Sequence, residues 1–268
     1  MNNLPEPKIY IINLHNKEDR FIRTVKELRK VNLSKNITRI EATTSDEAKG
    51  MRFKYTTPDV YNNIETELKS TKIMPTWASL GCAISHINCW TDIAKDKLDY
   101  AVILEDDIII NDVEKFLYSY NNALATFTRK STCHIIGLNS ESNSKCNIID
   151  NLYECYGSFY KTHCYIINLG AVNYLLNNIC PLKYQIDIQL GLISNRSNNY
   201  LRCYTYIDSG IVQDDKLIST VQYYFLSQED LINLFDLPLE ILEIIYRYLP
   251  KREDFNNDIY ESNHLYGY

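Results

Sequence analysis

The stretch Tyr100-Ala101-Val102-Ile103-Leu104-Glu105-Asp106-Asp107-Ile108-Ile109-Ile110 places three consecutive acids between two apolar runs. The apolar residues are rich in β-branched side chains, a pattern typical of a strand buried on both faces. Adjacent carboxylates repel one another and resist burial unless a cation offsets their charge. Carboxylate oxygens suit Mg²⁺ or Mn²⁺, which in turn can bind a diphosphate. The triplet alone leaves two interpretations open, a metal site and a solvated strand end at a turn.

Apolar periodicity on either side of this stretch predicts alternating strands and helices. Residues 43–75 are predicted to be a long connection with one short helix. The alternation predicts an α/β fold with a mostly parallel sheet, whose ligands bind beyond the carboxyl ends of the strands. Asn13, Glu41 and Asp107 would lie at that edge. Strands are predicted at 8–14, 37–42, 133–138 and 201–207, and two or three more within 147–168. Helices are predicted to begin at 16 or 17 and to span 78–95, 112–127, 170–178 and 186–194.

Several short motifs occur in the order found in glycosyltransferase family 25, and the chain resembles that family over residues 8–220. The family includes bacterial lipooligosaccharide galactosyltransferases and collagen galactosyltransferases. Two positions depart from its pattern, with Asn16-Lys17 replacing a basic pair and Ser79-Leu80 replacing an acidic residue before the Gly-Cys pair. The matching motifs are Ile12-Asn13-Leu14, Asp19-Arg20, Glu41-Ala42, Gly81-Cys82, Ser85-His86, Leu104-Glu105-Asp106-Asp107, Gly170-Ala171, Ile186-Asp187 and Val212-Gln213.

The resemblance implies a GT-A-type nucleotide-sugar-binding fold and a metal-dependent, inverting transferase. Such an enzyme would move a hexose from a UDP-sugar to a hydroxyl group of a glycan or protein, with Mn²⁺ or Mg²⁺ as cofactor. A nucleotide-sugar hydrolase or pyrophosphorylase is a further alternative. A pyrophosphorylase would need a glycine-rich basic phosphate loop near the first strand, and residues 8–20 contain none.

The same resemblance assigns expected roles to particular residues. Asp107 is the expected metal ligand, with Glu105 as a second ligand or as a contact to the ribose or a metal-bound water. Asp187 is the expected catalytic base and His86 a second catalytic candidate. A helix N-cap for Asp187 and a core position for His86 remain open as alternatives. The residues expected around the nucleotide are Asn13, Leu14, Arg20, Glu41, Ala42, Thr43, Glu105, Asp106 and Gln213.

Composition restricts the remaining functional classes. The net charge of −6 provides no basic surface for nucleic acid, so that class of partner is not expected. Neither terminus carries a signal peptide or the run of roughly 20 apolar residues that spans a bilayer, so we expect a cytoplasmic protein without a transmembrane segment. The eight cysteines contain no Cys-x-x-Cys pair and are expected to be reduced and buried. Abundant Asn, Ile, Lys and Tyr are typical of an AT-rich genome, such as that of a giant virus.

The C-terminal part differs from the rest of the chain. We predict a transferase domain at 1–225, a helical appendage at 226–250 and a polar tail at 251–268. The segment 237–249, Leu-Pro-Leu-Glu-Ile-Leu to Tyr-Leu, resembles the start of an F-box. Two alternatives follow, a helix pair packed on the main domain and an adaptor that binds a Skp1-like partner.

Overall fold

The computed structural model describes residues 6–65, 74–127, 133–194, 201–214 and 217. Strands and helices alternate through this part of the chain, close to the predicted bounds. In order they are β1 (Lys8–Asn13), α1 (Glu18–Lys30), β2 (Ile37–Glu41), α2 (Ser45–Gly50), α3 (Arg52–Tyr55), α4 (Pro58–Glu65), α5 (Trp77–Lys95), β3 (Tyr100–Glu105), β4 (Ile108–Ile110), α6 (Val113–Phe127), β5 (Cys133–Leu138), β6 (Ser144–Ile149), β7 (Leu152–Tyr156), β8 (Cys164–Asn168), α7 (Leu169–Asn178), α8 (Ile186–Ile193), β9 (Leu201–Tyr206) and β10 (Ile211–Gln213).

Eight of these strands form one sheet in the order β2-β1-β3-β8-β5-β9-β7-β6. The pairs β2–β1, β1–β3 and β5–β9 are parallel. Strand β8 is antiparallel to both β3 and β5, which therefore point the same way, and β7 is likewise antiparallel to β9 and β6. Six of the eight strands thus share one direction, which confirms the predicted α/β fold with a mostly parallel sheet.

Both faces of the sheet are covered, as the apolar runs predict. Successive side chains of a strand point to opposite faces, and β3 divides accordingly between two cores. Ala101 and Ile103 lie in one core with buried residues of α5 and α7, such as Ile84 and Leu175. The other core holds Tyr100, Val102 and Leu104 with buried residues of α1 and α6, Leu28 and Phe116 among them.

The acidic stretch is two strands, where the sequence predicts one. Strand β3 ends at Glu105, Asp106 and Asp107 form a turn, and β4 begins at Ile108. Strand β4 leaves the central sheet and pairs antiparallel with β10 in a separate two-stranded sheet. The break follows from the acids, because in a continuous strand the two neighbouring carboxylates would point into the apolar cores on opposite faces of the sheet. It places them at the edge where ligands bind in α/β folds.

The connection after β2 also differs from its prediction. Within the described residues it contains three helices, α2, α3 and α4, where one short helix is expected. Helix α2 begins with a capping box, in which the Thr44 hydroxyl accepts from the Glu47 N–H and the Glu47 carboxylate accepts from the Thr44 N–H. Short polar helices of this kind depend on such end contacts more than on apolar periodicity, which explains why periodicity missed them.

The structure bears on the predicted state of the cysteines and on the predicted domain bounds. The seven cysteines whose side chains are described are free, and four are buried, whereas Cys146 and Cys180 are exposed. Helices in the described part of the chain are all too short or too polar to cross a membrane. The described residues of Met1–Asp215 form one compact unit. The predicted appendage at 226–250, with its Skp1-like partner segment at 237–249, and the predicted tail at 251–268 lie outside the described residues.

Candidate active site

Three polar residues lie at the same edge of the sheet because their strands are parallel neighbours. Asn13 of β1 is in register with Glu41 of β2, and Ile12 is in register with Glu105 of β3. The carboxyl ends of the three strands therefore coincide. The edge predicted from strand order alone is the one that the fold forms.

Asp106 is held by two side chains from the first βα unit. Asn13 Nδ2 donates to Asp106 Oδ2 at 2.5 Å, and Arg20 Nη2 lies 2.5 Å from Asp106 Oδ1. All three side chains are largely buried, so the charge of Asp106 is offset by Arg20 and by a hydrogen bond. Arg20 is among the residues expected around the nucleotide, and the structure brings this cation to the acidic turn.

Asp107 is only partly provided with partners. Gln213 Nε2 of β10 donates to Asp107 Oδ2 at 2.7 Å, and Arg20 Nη2 is 3.9 Å from the same oxygen. Oδ1 is buried and has no hydrogen-bond partner within the described residues. Burial raises the pKa of Asp107 to about 7, and the negative charge of Glu105 adds to the rise. A divalent cation prefers oxygen ligands, and one bound at Oδ1 would offset the buried charge of Asp107. The side chains present therefore fit a metal ion.

Helix α1 supports the acidic turn through two side chains that sequence reasoning missed, Arg23 and Glu27. Arg23 Nη1 donates to Asp214 Oδ2 at 2.6 Å, and the Asp214 N–H donates to the Asp107 carbonyl oxygen at 2.6 Å. One turn further along, Glu27 Oε2 accepts from the Ile110 N–H at 2.8 Å. The spacing of Arg20, Arg23 and Glu27 places them on one helix face, and this spacing was the available signal.

Glu105 points toward a different set of partners. Thr162 Oγ1 donates to Glu105 Oε1 at 3.0 Å, and His86 Nε2 lies 3.6 Å from the same oxygen. Burial alone would raise the pKa of Glu105, but contact with His86 and the nearby His163 lower it below its ordinary value. His163 itself is buried, and burial lowers its pKa to about 4. The triplet therefore contains a low-pKa acid, Glu105, two residues before a high-pKa acid, Asp107.

His86 and Cys82 lie one turn apart on α5 and face Glu105. Their ligand atoms and a Glu105 oxygen all lie within 4.8 Å of one another. The ring of His86 is fully buried, so a role through Glu105 fits it better than direct contact with a substrate. The sequence provided a signal for this cluster, because residues four apart share a helix face.

The Gly81-to-His86 segment also positions the loop after β2. Ser85 Oγ accepts from the Thr43 N–H at 2.9 Å and donates to the Gly81 carbonyl oxygen at 2.7 Å. A Cβ at Gly81 would collide with the Thr43 carbonyl oxygen, so α5 and this loop can approach closely only because residue 81 is glycine. The motif thus has a packing role that is independent of any chemistry.

The remaining nucleotide candidates surround the ends of β1 and β2. Arg39 Nη2 donates to the Leu14 carbonyl oxygen at 3.1 Å, and the Ala42 N–H donates to the Asn13 carbonyl oxygen at 3.0 Å. The Glu41 side chain is exposed and lies 3.6 Å from the exposed His15 Nδ1. The backbones of Leu14 and Ala42 are therefore fixed by hydrogen bonds, while the Glu41 side chain remains accessible to a ligand.

Asp187 lies in the first turn of α8. The N-cap of this helix is Gln185, and Asp187 Oδ1 accepts the N–H of its neighbour Ile188 at 2.7 Å, so the alternative that Asp187 is the N-cap is wrong. Burial raises the pKa of Asp187 to about 6, with a further contribution from Glu105. Burial also raises the pKa of the Cys82 thiol well above its ordinary value, and Glu105, Asp187 and Asp107 add to it. These three acids therefore all lie near Cys82.

Comparison with known proteins bears on the class of the chain. The profile of glycosyltransferase family 25 (LPS biosynthesis protein) matches residues 6–190. No curated protein matches the chain. Among solved structures, mannose-1-phosphate geranyltransferase from Thermus thermophilus is similar at 10% identity and a TM-score of 0.38, covering 76% of this chain and 75% of that one. The family match includes β1, the Gly81–His86 segment, the acidic turn and Asp187, and on this basis the chain belongs to glycosyltransferase family 25.

Proposed function

We propose that the protein is a metal-dependent, inverting glycosyltransferase that moves a hexose from a UDP-sugar to a hydroxyl group of a glycan or protein. One observation carries the proposal. A buried oxygen of Asp107 lacks a hydrogen-bond partner within the described residues, at the edge where β1, β2 and β3 end. A buried carboxylate in this state is costly unless a cation approaches it. Family membership supports the transferase class, and this oxygen supports the metal.

Asp107 would hold the cation, and Glu105 would bind it through water or bind the ribose. A divalent cation bound there would act as a Lewis acid on the departing diphosphate. Arg20 and Asn13 serve this site indirectly, because they neutralise Asp106 and thereby keep the turn in place. Gln213 orients Asp107 by occupying Oδ2, which leaves Oδ1 for the ligand.

The nucleotide would lie along the loops after β1 and β2. Glu41 is the accessible side chain there, and the backbone of Leu14, Ala42 and Thr43 is held in place by Arg39, Asn13 and Ser85. Such a preorganised backbone suits recognition of a ribose and a uracil, because its groups need not be ordered on binding.

Asp187 would be the catalytic base. As the acceptor oxygen attacks the anomeric carbon, the bond from that carbon to the diphosphate oxygen breaks, and UDP leaves with the electron pair. The hydroxyl proton goes to the Asp187 carboxylate. A pKa near 6 keeps Asp187 ionised at neutral pH and makes it a stronger base than an ordinary aspartate.

The proposal is tested by thermal unfolding of the full chain with UDP and a panel of UDP-sugars, each with Mn²⁺, with Mg²⁺ and with EDTA. UDP at about 100 times its Kd should stabilise the protein by about 2.7 kcal/mol in the presence of the metal. The Asp107→Asn variant should lose this response, whereas the neighbouring Asp106→Asn variant should retain it. Equal stabilisation by UDP in EDTA would remove the metal from the mechanism.

A further inference from the structure

Three buried side chains form a hydrogen-bonded series that ends beside Glu105. Trp90 Nε1 lies 3.0 Å from the Tyr165 hydroxyl oxygen, and that oxygen lies 2.9 Å from His86 Nδ1. All three residues are fully buried. On the other side of the imidazole ring, His86 Nε2 lies 3.6 Å from Glu105 Oε1.

The direction of these hydrogen bonds follows from the chemistry of the donors. An indole N–H can only donate, so the Tyr165 oxygen accepts from Trp90. Burial raises the pKa of Tyr165 well above its ordinary value, so the phenol keeps its proton. In a dry interior that proton needs an acceptor, and His86 Nδ1 is the acceptor within reach in the described chain. A neutral imidazole that accepts at Nδ1 carries its hydrogen on Nε2.

The Nε2–H group of His86 therefore faces Glu105 Oε1 at 3.6 Å, which is longer than a hydrogen bond, and it has no hydrogen-bond partner among the described residues. Thr162 donates to the same oxygen, Oε1, from the opposite element, the segment that precedes β8. Glu105 Oε2 has no hydrogen bond from any residue that the structure describes. One oxygen of Glu105 is thus held by the protein, and the second is left for a ligand.

We propose that Tyr165 is a positioning residue, which fixes the His86 tautomer so that an N–H group faces Oε1 of Glu105, the oxygen held by Thr162, and Oε2 is offered to the sugar nucleotide. The inference rests on the proposed function for the identity of the ligand. Its structural half, the tautomer, does not depend on that function. It also explains why the Cys82, His86 and Glu105 cluster need not be a transition-metal site, because a protonated Nε2 has no lone pair for a metal.

The tautomer is tested directly by long-range nitrogen–proton NMR of the histidine rings. The chain has five histidines, and the His86 signals are assigned by their loss in His86→Gln. The expected wild-type result is an Nε2–H ring, and Tyr165→Phe should shift the ring away from this single form. A wild-type ring protonated at Nδ1 alone would overturn the proposal. This measurement uses no donor substrate, so it remains decisive even if no UDP-sugar binds.

The functional half is tested with two variants that each remove one end of the Trp90–Tyr165 hydrogen bond. Tyr165→Phe also removes the proton donated to His86, whereas Trp90→Phe leaves that proton in place. We expect Tyr165→Phe to raise the KM for the UDP-sugar about 3- to 10-fold with little change in kcat, the scale of one hydrogen bond. Trp90→Phe should lower the melting temperature and leave this KM unchanged. Equal KM changes in both would show that Tyr165 has only a structural role and overturn the proposal.

A third variant and a metal titration complete the test. His86→Gln keeps an N–H group near Glu105 without any tautomer, so its KM should be insensitive to an added Tyr165→Phe change. In the titration, Zn²⁺ should stabilise wild type and Cys82→Ser equally or not at all. Stabilisation by Zn²⁺ that is lost in Cys82→Ser would identify a metal site at this cluster and overturn the tautomer assignment.

Discussion

Arg20 Nη2 lies 2.5 Å from Asp106 Oδ1, and this contact joins the first helix to the acidic turn 86 positions further along the chain. Both side chains are nearly buried, with 12% and 10% of their surfaces exposed. Burial raises the pKa of Asp106, and the charge of Arg20 opposes that rise. The pair therefore offsets the charge of one of the two acids in the turn.

Replacing Arg20 by Met should destabilise the protein strongly. Met keeps much of the side-chain length but leaves Asp106 as a buried charge without its cation, which costs about 3–5 kcal/mol. Adding Asp106→Asn should recover much of this loss, because the double variant has no unpaired charge. Chemical denaturation of the two single variants and the double variant measures the coupling. Additive losses would show that the contact contributes nothing specific.

Replacing Asp107 by Asn should separate activity from stability. Loss of one ligand charge should reduce transfer at least about a hundredfold, the scale of one key electrostatic contact. The melting temperature in EDTA should stay constant or rise, because the substitution relieves repulsion from Glu105. Asp106→Asn is the matched control, and its melting temperature should fall because Arg20 loses its partner. Initial rates and melting curves on the same preparations decide the result, and wild-type turnover in Asp107→Asn would refute the assignment.

The rate of transfer should depend on the ionisation of Asp187. Burial raises the pKa of this carboxyl group to about 6, and the base must be deprotonated to accept the acceptor proton. The kcat/KM should therefore fall as the pH decreases through about 6 and reach a plateau above it. Asp187→Asn should lose transfer across the whole range and retain UDP binding. Initial rates from pH 5 to 8 provide the measurement, and a flat profile would exclude this residue as the base.

Gly81→Ala should disturb the nucleotide loop by packing alone. A methyl group at this position would meet the Thr43 carbonyl oxygen, so α5 must move away from the loop. We expect a loss of about 1–3 kcal/mol, the usual cost of overpacking, together with weaker UDP binding. Gly50→Ala, whose added Cβ has no atom within 4 Å, is the control and should be neutral. Denaturation midpoints and UDP titrations of both variants test this.

Much of the fold could be predicted from local pattern. The bounds of β1, α5 and β5 follow from apolar periodicity, and the shared edge at which Asn13, Glu41 and Asp107 were predicted follows from parallel strand direction. Periodicity failed at α2 to α4, whose polar turns depend on capping, and it missed β10. These failures occur where few apolar side chains mark the buried face.

The acidic triplet and the family motifs were present in the sequence by itself, and they determined the enzyme class and the candidate residues. Only the tertiary structure decided which of those residues contact one another and how their pKa values differ. Gln213 reaches Asp107 across 106 positions and Tyr165 reaches His86 across 79, so no local period encodes either contact. Burial then separates the acids, because desolvation raises the pKa of Asp107 while the contact with His86 lowers that of Glu105. Residue types are set by the chain, but their charges depend on the neighbours that folding provides.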